Sequence, residues 1–116
     1  MAPPSQLAIA TSVVNRLVKE EASYHKELEK QQASIAKLEQ GGGDENAEYM
    51  LKQERRGVEE TRAIFPQLRN KLQDALARLE YVLEPDKSTG DQTTPEDIAK
   101  GQEAVAAASK VIHAQP

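Results

Sequence analysis

Between Leu51 and Val82 the chain carries one unbroken helical pattern with a proline inside it. Leu51, Glu54, Val58, Thr61, Phe65, Leu68, Leu72, Ala75, Leu79 and Val82 follow one another at alternating spacings of three and four. This is the seam of a coiled-coil-like helix. Pro66 falls within it, in the stretch "ETRAIFPQLRNKL". A proline in a helix interior removes a backbone donor and clashes with the carbonyl one turn back, at about 3 kcal/mol or more. A chain that turned at this point would shift its phase and bring in Gly, Asn or Asp. Instead the register holds, and the residues before the proline are Ala63, Ile64 and Phe65. None of these is a good N-cap, so a fresh helix starting at Pro66 would be uncapped. The spacing predicts one long helix over about residues 45–84, kinked at Pro66 where the Arg62 carbonyl loses its partner.

Two breaker-rich stretches, "GGGDEN" (41–46) and "PDKSTGDQTT" (85–94), bound this segment and leave one on either side. The first segment carries Leu7, Ala10, Val14, Leu17, Tyr24, Leu28, Ile35 and Leu38 on a heptad ladder, interrupted by Glu21 and Gln31. Thr11 or Ser12 could cap it. However, the ladder reaches back to Leu7 and Pro3 and Pro4 are tolerated in a first turn, so a helix over about residues 5–40 is predicted. In the third segment Thr94 caps, Pro95 takes the first helical position, and Glu96 and Asp97 suit the positive helix end. The predicted helix spans about residues 95–114, with a stripe of Ile98, Val105, Ala108 and Ile112; Gly101 and the alanine run make it the weakest of the three. Glu48–Lys52 and Asp74–Arg78 have the favoured i,i+4 order for helix ion pairs.

Short connections force antiparallel neighbours. The expected fold is all-α: a single domain over residues 1–116, an elongated up-down-up three-helix bundle. At 1.5 Å per residue its long helices reach roughly 45–60 Å. With the first hairpin turning at Gly42–Gly43, Leu7 should face Leu79, Leu17 should face Leu68, and Gln31 should share a polar layer with Glu54. With the second turning near residue 89, Ile98 should lie near Leu79, Val105 near Leu72 and Ile112 near Phe65. The third helix is then expected to run out close to Pro66. Leu28, Ile35, Leu51 and Val58 would lack a third wall, and apolar surface of that kind suits a partner.

The composition narrows the chemistry. The 116 residues hold no cysteine, so there is no disulfide, thiolate metal site or thiol nucleophile, as befits a reducing compartment. Charged residues make up 29% and aromatics 3%, a balance that suits long amphipathic helices better than a compact globular core. The net charge of -4 gives no basic footprint for nucleic acid. No apolar run approaches the ~20 residues of a membrane span, and "MAPPSQLAIATS" has no signal-peptide pattern. Glu21, His25 and Glu29 share one helix face, but a metal site needs ligands converging from other elements. The adjacent carboxylates of "KEE" and "EE" point to different sides of a helix, which does not suit an acid–base pair. "GGGD" lacks the preceding strand and following GK[ST] of a phosphate loop; it reads as a turn, with Asp44 as a cap. Neither an enzyme nor a cofactor is expected. Phe65 is expected in the core and Tyr24 half-buried.

Arg55, Arg62 and Arg69 recur every seven residues along one edge of the second helix. The matching edges carry Val18, His25 and Gln32 on the first helix, and Gln102 and Ser109 on the third, with no run of acids. A solvated stripe is the simpler reading. A partner-facing one has a physical basis, because arginine is enriched at protein interfaces.

Residues 13–39, "VVNRLVKEEASYHKELEKQQASIAKLE", and 51–84, "LKQERRGVEETRAIFPQLRNKLQDALARLEYVLE", resemble tubulin-binding cofactor A. The shared pattern is "RLVKE", a tyrosine four residues on, a charged run to a short loop, "KQ", and an apolar pair followed by proline in mid-helix. The glycine triplet, the alanine-rich third segment and the proline-rich start depart from it. The resemblance implies a cytoplasmic, cytoskeleton-associated chaperone without cofactor or catalysis. It would capture β-tubulin folding intermediates before heterodimer assembly, through helical faces more than through loops. Joined with surface logic, it points to Arg16, Lys19 and Glu20 of "NRLVKE" and to Arg55, Arg62 and Arg69 as partner-binding residues. The rival reading is a generic helical adaptor or self-associating coiled coil, for which the short third helix leaves room for a homodimer.

Overall fold

The structure, a computed structural model, describes residues 3–41, 45–85 and 93–114. It contains α1 (Gln6–Gln40), α2 (Glu45–Leu83) and α3 (Pro95–Ala114), with no strand among the described residues. Both hairpin turns, and the Asp44 cap, lie outside the described residues. α2 runs through Pro66 as one helix, and the proline is exposed.

The starts of α1 and α3 are fixed together. Ser5, not Thr11 or Ser12, caps α1: its hydroxyl accepts from the Ala8 amide at 3.0 Å. At α3, the Thr94 hydroxyl accepts from the Asp97 amide at 3.1 Å, and the Asp97 carboxylate accepts from the Thr94 amide at 3.4 Å. This is a reciprocal capping box with aspartate in the acidic position. The same Asp97 oxygen accepts from the Ser5 hydroxyl at 3.3 Å. One carboxylate therefore joins two helix caps and sets α1 and α3 side by side in the same direction. Ser5→Ala is expected to cost about 1 kcal/mol, and Asp97→Ala about 1–1.5 kcal/mol because it disturbs both caps. Urea unfolding of the single and double variants should show less than additive losses, since the two residues share a bond.

The chain gathers into two compact units. The first takes residues 1–20 and 68–116. Its core is the ladder read from the sequence: Leu7, Ala10, Val14 and Leu17 of α1 with Leu68, Leu72, Leu79 and Val82 of α2 are all buried. α3 follows the expected stripe at Ala108 and departs from it at Ile98, Val105 and Ile112. Its buried line is Gly101, Ala104 and Ala108, while Val105 and Ile112 are half-buried and Ile98 is 40% exposed. The reason lies at Gly101. A Cβ there would stand 3.2 Å from Leu7 Cδ1, 3.2 Å from Leu83 Cδ2 and 3.4 Å from Thr11 Oγ1. Lacking one, the helix comes close to both neighbours and turns its smallest residues inward. The larger Ile98 is left facing water, so it does not fill a layer with Leu79. The glycine that lowers α3's helix propensity is what lets it seat.

The second unit, residues 21–67, contains only parts of α1 and α2. Contacts between His25 and Phe65, Gln31 and Gly57, and Glu39 and Arg55 run in opposite chain directions, so the pair is antiparallel. Two helices cannot enclose a seam. Val58 and Thr61 are buried, but Leu28, Ile35, Leu38, Leu51 and Phe65 are only half-buried. Phe65 is thus not a core residue: its ring stacks on His25, with centroids 4.5 Å apart. Gln31 places its amide nitrogen 3.1 Å from where a Gly57 Cβ would stand, at the position on α2 that offers no side chain to obstruct it.

Candidate partner-binding surface

In the first unit Arg16, Lys19 and Glu20 are all exposed on α1, four residues or fewer apart. The Arg16 guanidinium approaches the Glu20 carboxylate at 3.9 Å, a loose i,i+4 pair open to solvent. Pairs of this kind contribute about 0–1 kcal/mol, so both charges can be recruited by a partner at small cost.

The three arginines of α2 do not share one environment. Arg55 and Arg62 are exposed in the second unit, whereas Arg69, in the first, is half-buried. Arg55 meets Glu39 of α1 at 3.5 Å across the seam. Glu39 continues the α1 edge of Val18, His25 and Gln32 by one further heptad, so this pair supplies an acid on the very edge that faces the arginines. The Arg62 carbonyl sits one turn before Pro66, which has no amide hydrogen to offer it.

His25 binds a buried carboxylate of the second unit. Glu21 is 7% exposed, and its carboxylate lies 2.7 Å from His25 Nε2. With the ring stacked on Phe65, the Glu21–His25–Phe65 set fills part of the α1–α2 seam. The polar interruption at Glu21 is therefore met locally, by the residue one turn along. Among the described residues no group of three or more His, Cys, Asp or Glu could hold a metal ion. Among the same residues, no helix is long and apolar enough to cross a membrane.

One feature escaped the heptad reading. Ile9 is 51% exposed although it stands in the best-packed part of α1. It lies off the a/d ladder, and ladder logic has no place for an apolar residue there. Two cavities meet at it. One of about 430 Å³ is bordered by Pro4, Ser12 and Arg16; one of about 340 Å³ is bordered by Gln6, Ala75 and Arg78. Ile9 and Val13 line both.

These features can be set beside known proteins. The sequence model of the family Tubulin binding cofactor A matches residues 2–105. Tubulin-folding cofactor A of Arabidopsis thaliana is 36% identical over 96 residues, covering 83% of this chain and 82% of that one. Tubulin-specific chaperone A of Saccharomyces cerevisiae is 30% identical over 110 residues, covering 94% and 95%. The human protein of the same name is 35% identical over 82 residues, covering 71% and 73%. Among solved structures, the crystal structure of tubulin folding cofactor A from Arabidopsis thaliana superposes with a TM-score of 0.74 at 34% identity, covering 90% of this chain and 92% of that one. Family match, near-full-length relatives and shared helical fold agree, and the chain belongs to the tubulin binding cofactor A family.

Proposed function

We propose that this chain is a tubulin-folding chaperone that captures β-tubulin folding intermediates and holds them before heterodimer assembly. The observation that carries the reading is the family match over residues 2–105, nearly the whole described chain. The surface suits the task. A folding intermediate exposes apolar segments, and the half-buried seam of the second unit offers apolar area bordered by charges to receive them. Holding such a client needs no nucleotide or catalytic group, and the chain acts by binding. It works in the cytoplasm, where the client is made, in association with the cytoskeletal protein it serves.

Native gel electrophoresis tests the reading. Purified chain mixed with folding-competent β-tubulin should migrate as a new complex, and α-tubulin should give none. An unchanged β-tubulin band would refute the proposal; an equal shift with α-tubulin would refute the β-selectivity alone.

Arg16, Lys19, Glu20, Arg55, Arg62 and Arg69 are proposed to contact the client. Single charge reversals at Arg62 and at Arg69 should each weaken β-tubulin binding severalfold and leave helicity by circular dichroism unchanged. Loss of helicity would instead assign those arginines to the fold.

A further inference from the structure

The paired helices α1 and α2 of the first unit present two grooves. α3 fills one of them, with Gly101 against Leu7, Thr11 and Leu83, and Asp97 bonded to Ser5. A cavity between Gln6, Ile9, Ala10 and Val13 of α1 and Ala75 and Arg78 of α2 marks a second groove between them, and the other cavity at Ile9 lies beside it on α1, bordered by Pro4 and Arg16. On α1, Ile9, Val13 and Arg16 follow at i, i+4 and i+7 and so share one face. On α2, Lys71, Ala75 and Arg78 repeat that spacing. Cavity lining places Ala75 and Arg78 opposite Ala10 and Val13.

The groove therefore has an apolar floor of Ile9, Ala10 and Val13 with Arg78 at its edge, and Arg16 stands one turn beyond Val13 at the adjoining cavity, in a chain whose net charge is -4. Arg78 stands in the favoured i,i+4 order after Asp74, yet neither it nor Lys71 forms an ion pair among the described residues. Arg78 borders the cavity instead. Arg16 is held only by the loose contact to Glu20.

We infer that this groove is a second helix seat, and that it takes an amphipathic helix of the client bearing large apolar residues on one face and carboxylates beside them. A cavity of about 340 Å³ between two antiparallel helices offers a groove into which the ridge of a third helix can pack. Exposed Ile9 and half-buried Val13 would meet the apolar anchors, and Arg16 and Arg78 the carboxylates. From Gln6 to Arg16 the seat is about 15 Å long at 1.5 Å per residue, or about three turns of a partner helix. The inference rests on the proposed function and adds to the seam of the second unit a contact surface on the first.

The test measures β-tubulin affinity for the full chain and its variants. Ile9→Glu should weaken binding tenfold or more, by placing a charge on the floor beneath an acidic helix. Ile98→Glu, at a similarly exposed isoleucine on α3, should bind as wild type. Arg16→Gln/Arg78→Gln should weaken binding severalfold, and Arg16→Lys/Arg78→Lys should restore most of it. Raising salt from about 50 to about 300 mM should weaken the wild type more than the glutamine variant, because the rim charges are screened. Wild-type affinity in Ile9→Glu, equal losses at Ile9 and Ile98, or identical salt dependence of wild type and the glutamine variant would each overturn the inference while leaving the chaperone reading intact. A wild-type dimer dispersed by Ile9→Glu would overturn it by making the groove a self-interface. Failure of the wild type to bind β-tubulin would overturn both. Should Ile9→Glu lose helicity, the rim variants decide the matter.

Discussion

Leu72→Ala is expected to destabilise the protein by about 2–5 kcal/mol, the range for truncating a leucine where the surroundings cannot collapse into the space. Leu72 is 0% exposed and shares the core with Val14 and Leu79, which are equally enclosed. Domains are stable by only about 5–15 kcal/mol, so this one change would remove a large share of the margin. Urea unfolding measures it. The comparison that gives the value meaning is Ile98→Ala. By helical spacing Ile98 belongs to a core stripe, but it is 40% exposed, so its truncation should cost under about 1 kcal/mol. Equal losses at Leu72 and Ile98 would show that α3 presents the Ile98 face and not the Gly101–Ala104–Ala108 line.

Pro66→Ala is expected to act in the other direction. The proline sits inside α2, exposed, and leaves the Arg62 carbonyl without its helical partner. Alanine restores the donor and removes the ring clash, a gain of up to about 3 kcal/mol. A rise of this order in urea unfolding would mean that the chain keeps a destabilising residue at the position next to where its two compact units divide, between Gln67 and Leu68. We propose that the retained proline bends α2 there. No gain in stability would mean that the surroundings already hold α2 in the geometry the proline imposes. Measuring β-tubulin binding of the same variant separates a proline kept for function from one that is merely tolerated.

The fold class was legible because heptad spacing is a direct record of burial. Leu7, Val14, Leu17, Leu68, Leu72 and Leu79 all stand on the ladder and are all buried. The continuity of α2 was legible from phase alone, since the ladder does not slip at Pro66. What failed to show was governed by small residues and by solvent. At Gly101 the deciding quantity is a distance of closest approach, 3.2 Å to Leu7 and Leu83, which no hydrophobic period encodes. Ile98 scores as core by type but faces away because the glycine line faces in. Phe65 scores as core too, but the second unit has only two helices to enclose it. The Glu39–Arg55 contact escaped because the edge of Val18, His25 and Gln32 was followed only to Gln32, one heptad short of Glu39. The groove at Ile9 escaped because it lies between ladders. Of the candidate contact residues, the sequence marked charges on helical edges. It could not tell the exposed Arg55 and Arg62 from the half-buried Arg69.

The central claim is that this chain binds a tubulin folding intermediate. Sedimentation velocity of the purified chain with β-tubulin diluted from denaturant tests it most directly. The account predicts one boundary faster than the free chain, containing both proteins in fixed ratio. Two boundaries, with the chain sedimenting as it does alone while β-tubulin aggregates, would contradict it.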